Sequence, residues 1–315
     1  MATTTSITTT YAGEFAGKYI AAALLSAPTL EKGGLTIHPN VKYKQVIQRV
    51  ATDDIIKNAT CDFDATSTVT LTEKVLNPEE FQVNLQLCKK DFHSTWQAAE
   101  MGYGAFDVMP KSFSDFLIAH VAEKVASAME STIWTGVNAT AGQFAGLSTQ
   151  IAADAALPSA QEVAGTTVTA SNVTTELGKL VDAIPARLYG QPDLKLYVSQ
   201  NIYKAYVRAL GGFASGVGAN GYDNKGTNQV LGELVFDGVP VFMANGLAAN
   251  TAWATPTSNL HFATGLLNDM NEVKVIDMGD IDGSQNVRVV IRFSADAKYG
   301  FASDLVTYGI VNSAN

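Results

Sequence analysis

Cysteine is scarce: Cys61 and Cys88 are the only two in 315 residues. That excludes a secreted fold stapled by disulfides and predicts free, mostly buried thiols in a reducing compartment. Charge is sparse as well, at 16% of residues, and the net charge is −9. That balance, with no basic run, argues against a dedicated nucleic-acid binder. Long apolar runs are missing too, since Tyr19 to Leu25 is far too short to span a membrane. The opening MATTTSITTT has neither the positive nor the apolar region of a signal peptide, so a soluble chain made in the cytoplasm is expected. So little charge on so large a chain leaves surface that need not face water alone, a pointer to assembly.

Catalytic signatures are equally thin. No GxxxxGK[ST], HExxH or GxSxG occurs, which removes support for three common routes to phosphate binding, zinc hydrolysis and serine catalysis. One GxGxxG is present, at Gly216, Gly218 and Gly221. A dinucleotide fingerprint needs a strand before it and a helix after it. Here a helical segment precedes it and Tyr-Asp-Asn-Lys-Gly follows, so a surface loop is expected. Cys61, Cys88 and His93 lack compact zinc spacing. A disulfide between the two cysteines stays open should the chain bring them together. His120, with Glu123 three residues on, reads as a surface or interface hydrogen-bonder. Asp277, Asp280, Asp282 and Gly283 resemble part of a calcium loop but lack the remaining ligands, so a polar hairpin turn is expected. Asp53-Asp54 is an acidic pair with no visible partner. No catalytic residue, cofactor or metal site is assigned.

What the sequence does have is organised around Lys111 to Gly136, which reads as one long amphipathic helix. Pro110 precedes it, Ser112 is a candidate N-cap with Asp115 three residues on, and Gly136 a candidate C-cap. Phe113, Leu117, Val121, Val125 and Ala128 form one apolar row, and Ile118, Ala122, Met129 and Ile133 the next. This spine separates a strand-rich half from an alternating half. Residues 1–40 are Thr- and Ala-rich, broken by Pro28, Gly33, Gly34 and Pro39, and are expected to drape over another surface. Val41 to Val50 alternates partly. Val69, Leu71 and Val75 share a face, as do Phe81, Val83, Leu85 and Leu87, with the Asn77-Pro78 turn signal between. The expected result is a two-stranded ribbon over Val69 to Leu87, tipped by Glu73, Lys74, Glu79 and Glu80. Such a hairpin is marginal alone and must lie on its own body or a neighbour.

After the spine, Asn172 is expected to cap a helix with Val173, Leu177, Leu180, Val181, Ile184 and Leu188 inward, kinked at Pro185. Leu194 to Val198 reads as a strand and Ile202 to Leu210 as a helix capped by Ser199. A Gly-rich loop spans Gly211 to Gly226. Further strands are expected at Gln229 to Phe236 and Val239 to Ala244 about the Asp237-Gly238 turn, at Leu260 to Ala263, at Val273 to Asp277 paired with Val287 to Phe293, and at Leu305 to Val311. The class is α+β, with three helices and no regular βαβ repetition.

This order of parts resembles the major capsid proteins of tailed double-stranded DNA bacteriophages, with the Hong Kong 97 fold. The resemblance rests on the long helix, on Glu130-Ser-Thr-Ile-Trp-Thr-Gly136 followed by Gln143-Phe-Ala-Gly-Leu147, and on VRVVIRFSADAKYG near the end. It implies an N-terminal arm at 1–40, an extended E-loop hairpin at 41–91, a P-domain at 92–171 with the spine helix at 112–135, an A-domain at 172–270 and a return through the P-domain at 271–315. It further implies pentamers and hexamers of the chain, an icosahedral head, separate scaffolding, portal and auxiliary proteins, and packaged DNA held non-specifically. The chain would sit in the virion after assembly in the bacterial cytoplasm, away from membranes. Candidate inter-subunit residues are Tyr11 and Phe15 in the arm, Arg49, Val69, Leu71, Lys74, Glu79, Phe81, Val83 and Leu85 about the ribbon, and Gly216, Gly218 and Gly221 in the glycine loop. An encapsulin-like cellular compartment is the alternative on the same fold, and a nucleotide-binding enzyme using the glycine loop a third reading.

Overall fold

In a computed structural model, residues 28–41, 43–52, 56–59, 61, 68–88, 111–211, 234–265 and 273–314 are described. The centre is helix α2, Lys111–Thr135, which follows the short helix α1, Pro28–Glu31. No proline or glycine interrupts α2, and its 25 residues span about 37 Å. Ile118, Val121, Met129, Ile133 and Trp134 are buried along it, while Ala128, expected in the apolar row, is exposed. Phe113 and Leu117 fall outside the described side chains, and Ser112 lies inside the helix rather than before it. Gly136 ends α2 without adopting the left-handed conformation expected of a C-cap. Its N–H bonds the Thr132 carbonyl at 3.0 Å and its own carbonyl accepts from Gly146 at 2.8 Å. A Cβ on Gly146 would stand 2.4 Å from the Gly136 nitrogen, so close backbone approach is what both glycines provide. The crossing delivers the chain into α3, Leu147–Ile151.

On one side of α2 lies a five-stranded sheet. Its middle is the 14-residue β12, Asn286–Tyr299. One edge of β12 pairs antiparallel with β4, Glu79–Cys88; the other pairs with β11, Val273–Asp277, and then with β10, Leu260–Thr264. Alternation along β12 turns Val287, Val289, Ile291 and Phe293 onto the helix, where Phe144, Leu147 and Ile151 complete the packing. The sheet ends with β1, Thr36–Pro39, parallel to β10. The surface that the last part of the arm lies on is the chain's own, and it joins that surface as a strand rather than draping over it. Thr29, Leu30 and Leu35 are buried in the chain's own core, and Pro39 ends a strand rather than preventing one. The rest of the arm lies outside the described residues.

A six-stranded sheet holds the second core. Its order is β5, Glu162–Val163; β13, Val306–Tyr308; β9, Ala252–Pro256; β6, Leu194–Val198; β8, Val239–Met243; and β7, Leu234–Phe236. Helices α4, Val173–Asp182, and α5, Gln200–Ala209, cover one face. The helix expected to kink at Pro185 instead ends before it, at Asp182. Asn172 and Ser199 precede these helices without capping them: Asn172 Oδ1 accepts from Thr169, and Ser199 Oγ donates to Asn201. Asp237 and Gly238 both take positive φ, as a tight β7–β8 hairpin requires. From β6, Leu196 and Val198 enter this second core while Tyr197 points the other way. Tyr197 meets Trp134 at 5.5 Å, and Trp253 meets Trp134 at 5.9 Å between ring centres. The end of α2 thus joins the two halves through aromatics.

The ribbon differs from expectation. Val69–Leu76, strand β3, does not pair with β4 but with β2, Gln45–Thr52, as a separate two-stranded sheet. The Asn77-Pro78 step therefore is not a hairpin turn; it sends the chain from ribbon to body. The physical reason is β12, whose unpaired edge and apolar face offer β4 ten residue pairs and a ready core.

Candidate assembly surface

The ribbon has one face toward the body and one toward solvent. Register places Val46 opposite Val75, Gln48 opposite Glu73 and Val50 opposite Leu71, all on the outer face. Val46, Val50, Val69 and Leu71 are 45%, 62%, 68% and 58% exposed. Tyr43 and Ile56 nearby are also exposed. The inner face carries Ile47, Arg49 and Lys74, and Leu76 at its root is fully buried with Val41 and Ala263. This runs against the usual arrangement, since the cations Arg49 and Lys74 turn inward while Val46, Val50, Val69 and Leu71 turn outward. Covering those four outer side chains would contribute about 1 kcal/mol each.

Polar contacts hold the inner face. Arg49 pairs with Asp304 and its guanidinium stands 5.0 Å over the Phe301 ring. Lys74 reaches Asp154 at 3.1 Å and lies 5.1 Å over Tyr299. Burial pushes the Asp154 carboxyl up, but bonds from the Tyr299 hydroxyl at 2.6 Å, the Ala156 amide and Lys74 outweigh it and hold it below the usual range. Burial, aided by the bond to Asp154, raises the Tyr299 phenol. At the root, Lys298 donates to the Val75 carbonyl at 2.7 Å and the Asn77 amide to Asp296 at 2.8 Å. Burial of Asp296 pushes its carboxyl up to about 6 despite that bond.

The remaining candidates distribute differently. Glu79 accepts from Asn138 at 3.0 Å. Phe81 packs between Phe144 and Phe293, and Val83 and Leu85 lean on the same core, so the chain itself covers them. Tyr11, Phe15, Gly216, Gly218 and Gly221 lie outside the described residues, as do His93 and Asp53-Asp54. Val46 and Val50 are contact candidates that the sequence alone does not point to. Their alternation in VKYKQVIQRV was visible, but their face is defined only once β2 is known to pair with β3. Cys61 is exposed, against the expectation of buried thiols; Cys88 is half-buried, and both are free. His120 and Glu123 are exposed. Instead of the expected hairpin turn, a four-residue helix, Gly279–Asp282, links β11 to β12; Asp277 accepts from the Gly279 amide, Asp282 from the Ser284 amide, and Gly283 ends the helix at a φ of 73°. Among the described residues no group of His, Cys, Asp and Glu could hold a metal, and no helix is long and apolar enough to cross a membrane.

The sequence matches no protein-family model and no curated protein. Solved structures do match. The capsid of an empty GTA particle superposes with a TM-score of 0.56 at 14% identity, over 90% of this chain and 89% of that one. The satellite phage P4 procapsid gives 0.54 at 11%, over 92% and 97%. An encapsulin complex from Synechococcus elongatus PCC 7942 gives 0.52 at 10%, over 90% and 88%. At these identities the likeness is one of fold, and it extends over nearly the whole of each chain. The chain has the Hong Kong 97-type capsid fold, mixed helix and strand about a long central helix.

Proposed function

We propose that this chain is the major capsid protein of a tailed double-stranded DNA bacteriophage, a structural protein rather than an enzyme. Copies associate as pentamers and hexamers and close into an icosahedral head. The observation that carries the reading is the ribbon's outer face, on which Val46, Val50, Val69 and Leu71 stand uncovered on a two-stranded sheet. A subunit that leaves such a face bare is completed by a neighbour. The same contact repeated around closing axes gives a shell, and many modest contacts per subunit make it stable.

In this reading residues 41–91 serve as the E-loop, 92–171 and 271–315 as the P-domain and 172–270 as the A-domain. Residues 1–40 form the arm, whose end at Pro28 to Pro39 is anchored in its own subunit. Scaffolding, portal and auxiliary proteins are separate chains. The DNA is held without sequence preference by a protein whose net charge of −9 offers it no general attraction, so packaging is driven from outside. The chain's location is the virion. Electron microscopy of purified protein tests this: uniform hollow shells, or capsomers of five and six, are expected. A monodisperse monomer in the presence of every other head protein would contradict it.

The encapsulin likeness favours a second reading, a cellular compartment around cargo enzymes. Contents separate the two: particles from the native source hold DNA in the first case and protein in the second.

A further inference from the structure

Beneath the ribbon, between its inner face and the body, lies an open cleft of about 410 Å³. Arg49 enters it from the ribbon, and Arg187, His261, Phe301 and Asp304 line it from the body. Both guanidiniums bond the one Asp304 carboxylate, Arg49 at Oδ2 and Arg187 at Oδ1, the latter at 2.6 Å. Arg187 also donates to the Ser303 carbonyl. Two cations thus share one anion among the residues that line the cleft, which leaves that lining net positive in a chain whose overall charge is negative, with a further carboxylate, Asp193, engaged by Ser258 of the lining. Each guanidinium has five N–H donors, so most of them have no partner among the described residues.

His261 supplies a further donor, through a relay. The Gln45 amide nitrogen, which can only donate, lies 3.1 Å from His38 Nδ1. His38 therefore accepts at Nδ1 and carries its proton on Nε2, which donates to His261 Nδ1 at 3.0 Å. Neutral His261 must then hold its own proton on Nε2. Burial and the neighbouring His38 keep it neutral by pushing its pKa down to about 4. Among the described residues that Nε2–H has no acceptor.

We propose that this cleft binds a small oxyanion, a carboxylate or phosphate group, held by Arg49, Arg187 and the Nε2–H of His261. Planar guanidiniums match such groups geometrically, and charge-assisted bonds in a partly dry cleft are the strong ones. Because Arg49 belongs to the ribbon and the other two to the body, a bound anion fastens the ribbon down. The proposal is independent of the shell reading: either can fail without the other.

The test is thermal unfolding of the purified full-length chain against rising inorganic phosphate, and separately against glutarate, with sodium chloride holding ionic strength constant. A saturating rise in Tm is expected with at least one; phosphate alone assigns the phosphate class, glutarate alone the carboxylate class. R49Q and R187Q should weaken the response about tenfold each, while K204Q, an exposed lysine elsewhere, leaves it unchanged. D304N provides the arm that damage to the fold cannot mimic. Removing the competing negative charge should tighten binding by about tenfold. No saturable response to either anion, an undiminished response in R49Q and R187Q, or weaker binding in D304N would overturn the proposal.

Discussion

Strands β3 and β4 are neighbours in sequence and similar in pattern, yet they meet opposite fates. In β3, Val69, Leu71 and Val75 alternate with polar residues; in β4, Phe81, Val83, Leu85 and Leu87 do the same. The apolar face of β4 packs on the core that α2 and β12 share, whereas Val69 and Leu71 on β3 stand in solvent. Alternation defines a face to be buried. It does not say whether the chain that buries it is the same one. The difference lies in what each strand pairs with: β12 brings a helix-backed core, while on the outer face β2 adds only Val46 and Val50, themselves exposed.

Aspartate substitutions break this comparison most sharply. V50D with L71D should abolish shells or capsomers while shifting the subunit's own stability by no more than about 0.5 kcal/mol. V83D, the matching change in β4, should cost the subunit roughly 3 kcal/mol or more, because a charge enters its core. Microscopy and denaturant unfolding of each protein separate the two outcomes. If V50D/L71D unfolds the subunit as V83D does, the ribbon's outer face is no free surface.

Where helix α2 hands over to α3, the added methyl of G146A meets backbone nitrogen rather than a movable side chain. Roughly 2–3 kcal/mol of destabilisation is expected, measured by chemical unfolding, and it should exceed the effect of G142A, whose site has open space but positive φ.

The junction between ribbon and body should respond to pH. Asp296 holds its proton more tightly when folded, with a value of about 6 against 3.8 ordinarily. Its contribution to stability is therefore full below about 3.8 and is lost as pH rises through 6. D296N removes that loss, so its advantage over the parent should grow between pH 4 and pH 8 by on the order of 2 kcal/mol. His261 works in the opposite sense: neutral in the fold, it contributes fully above 6.5 and loses that as pH falls through 4. Tm measured against pH for D296N and the parent checks the sign; an advantage that shrinks as pH rises would refute it. The smallest effect is R49Q on the subunit alone. Its ion pair is about a third exposed on the arginine side, so at most about 1 kcal/mol of stability is expected to change.

Much of this was legible in the sequence. The long helix, the six-stranded sheet's helices, β6, the β7–β8 hairpin and the β11–β12 pair all follow from periodicity and turn chemistry, which are local. What was not legible is non-local. Thr36–Pro39 is a strand only because β10 lies beside it, and Pro39 suits its end. Strand β9, AWATP, carries no alternation because both its faces are buried, so its pattern gives no period. Pairing of β3 with β2 rather than β4 is decided by β12, some two hundred residues away. For the candidate surface, Val69 and Leu71 were readable from β3, whereas Val46 and Val50 needed the pairing. The glycines at 216, 218 and 221 lie outside the described residues and add nothing to the account.

The most direct measurement is thiol labelling of V50C, made in a C61S background because Cys61 is exposed. Rates are compared between dissociated subunits and assembled particles. The account predicts rapid labelling of subunits and strong protection in particles, because a neighbouring copy covers the ribbon's outer face. Equal labelling in both states would contradict it, and with it the claim that this face is where one subunit completes another.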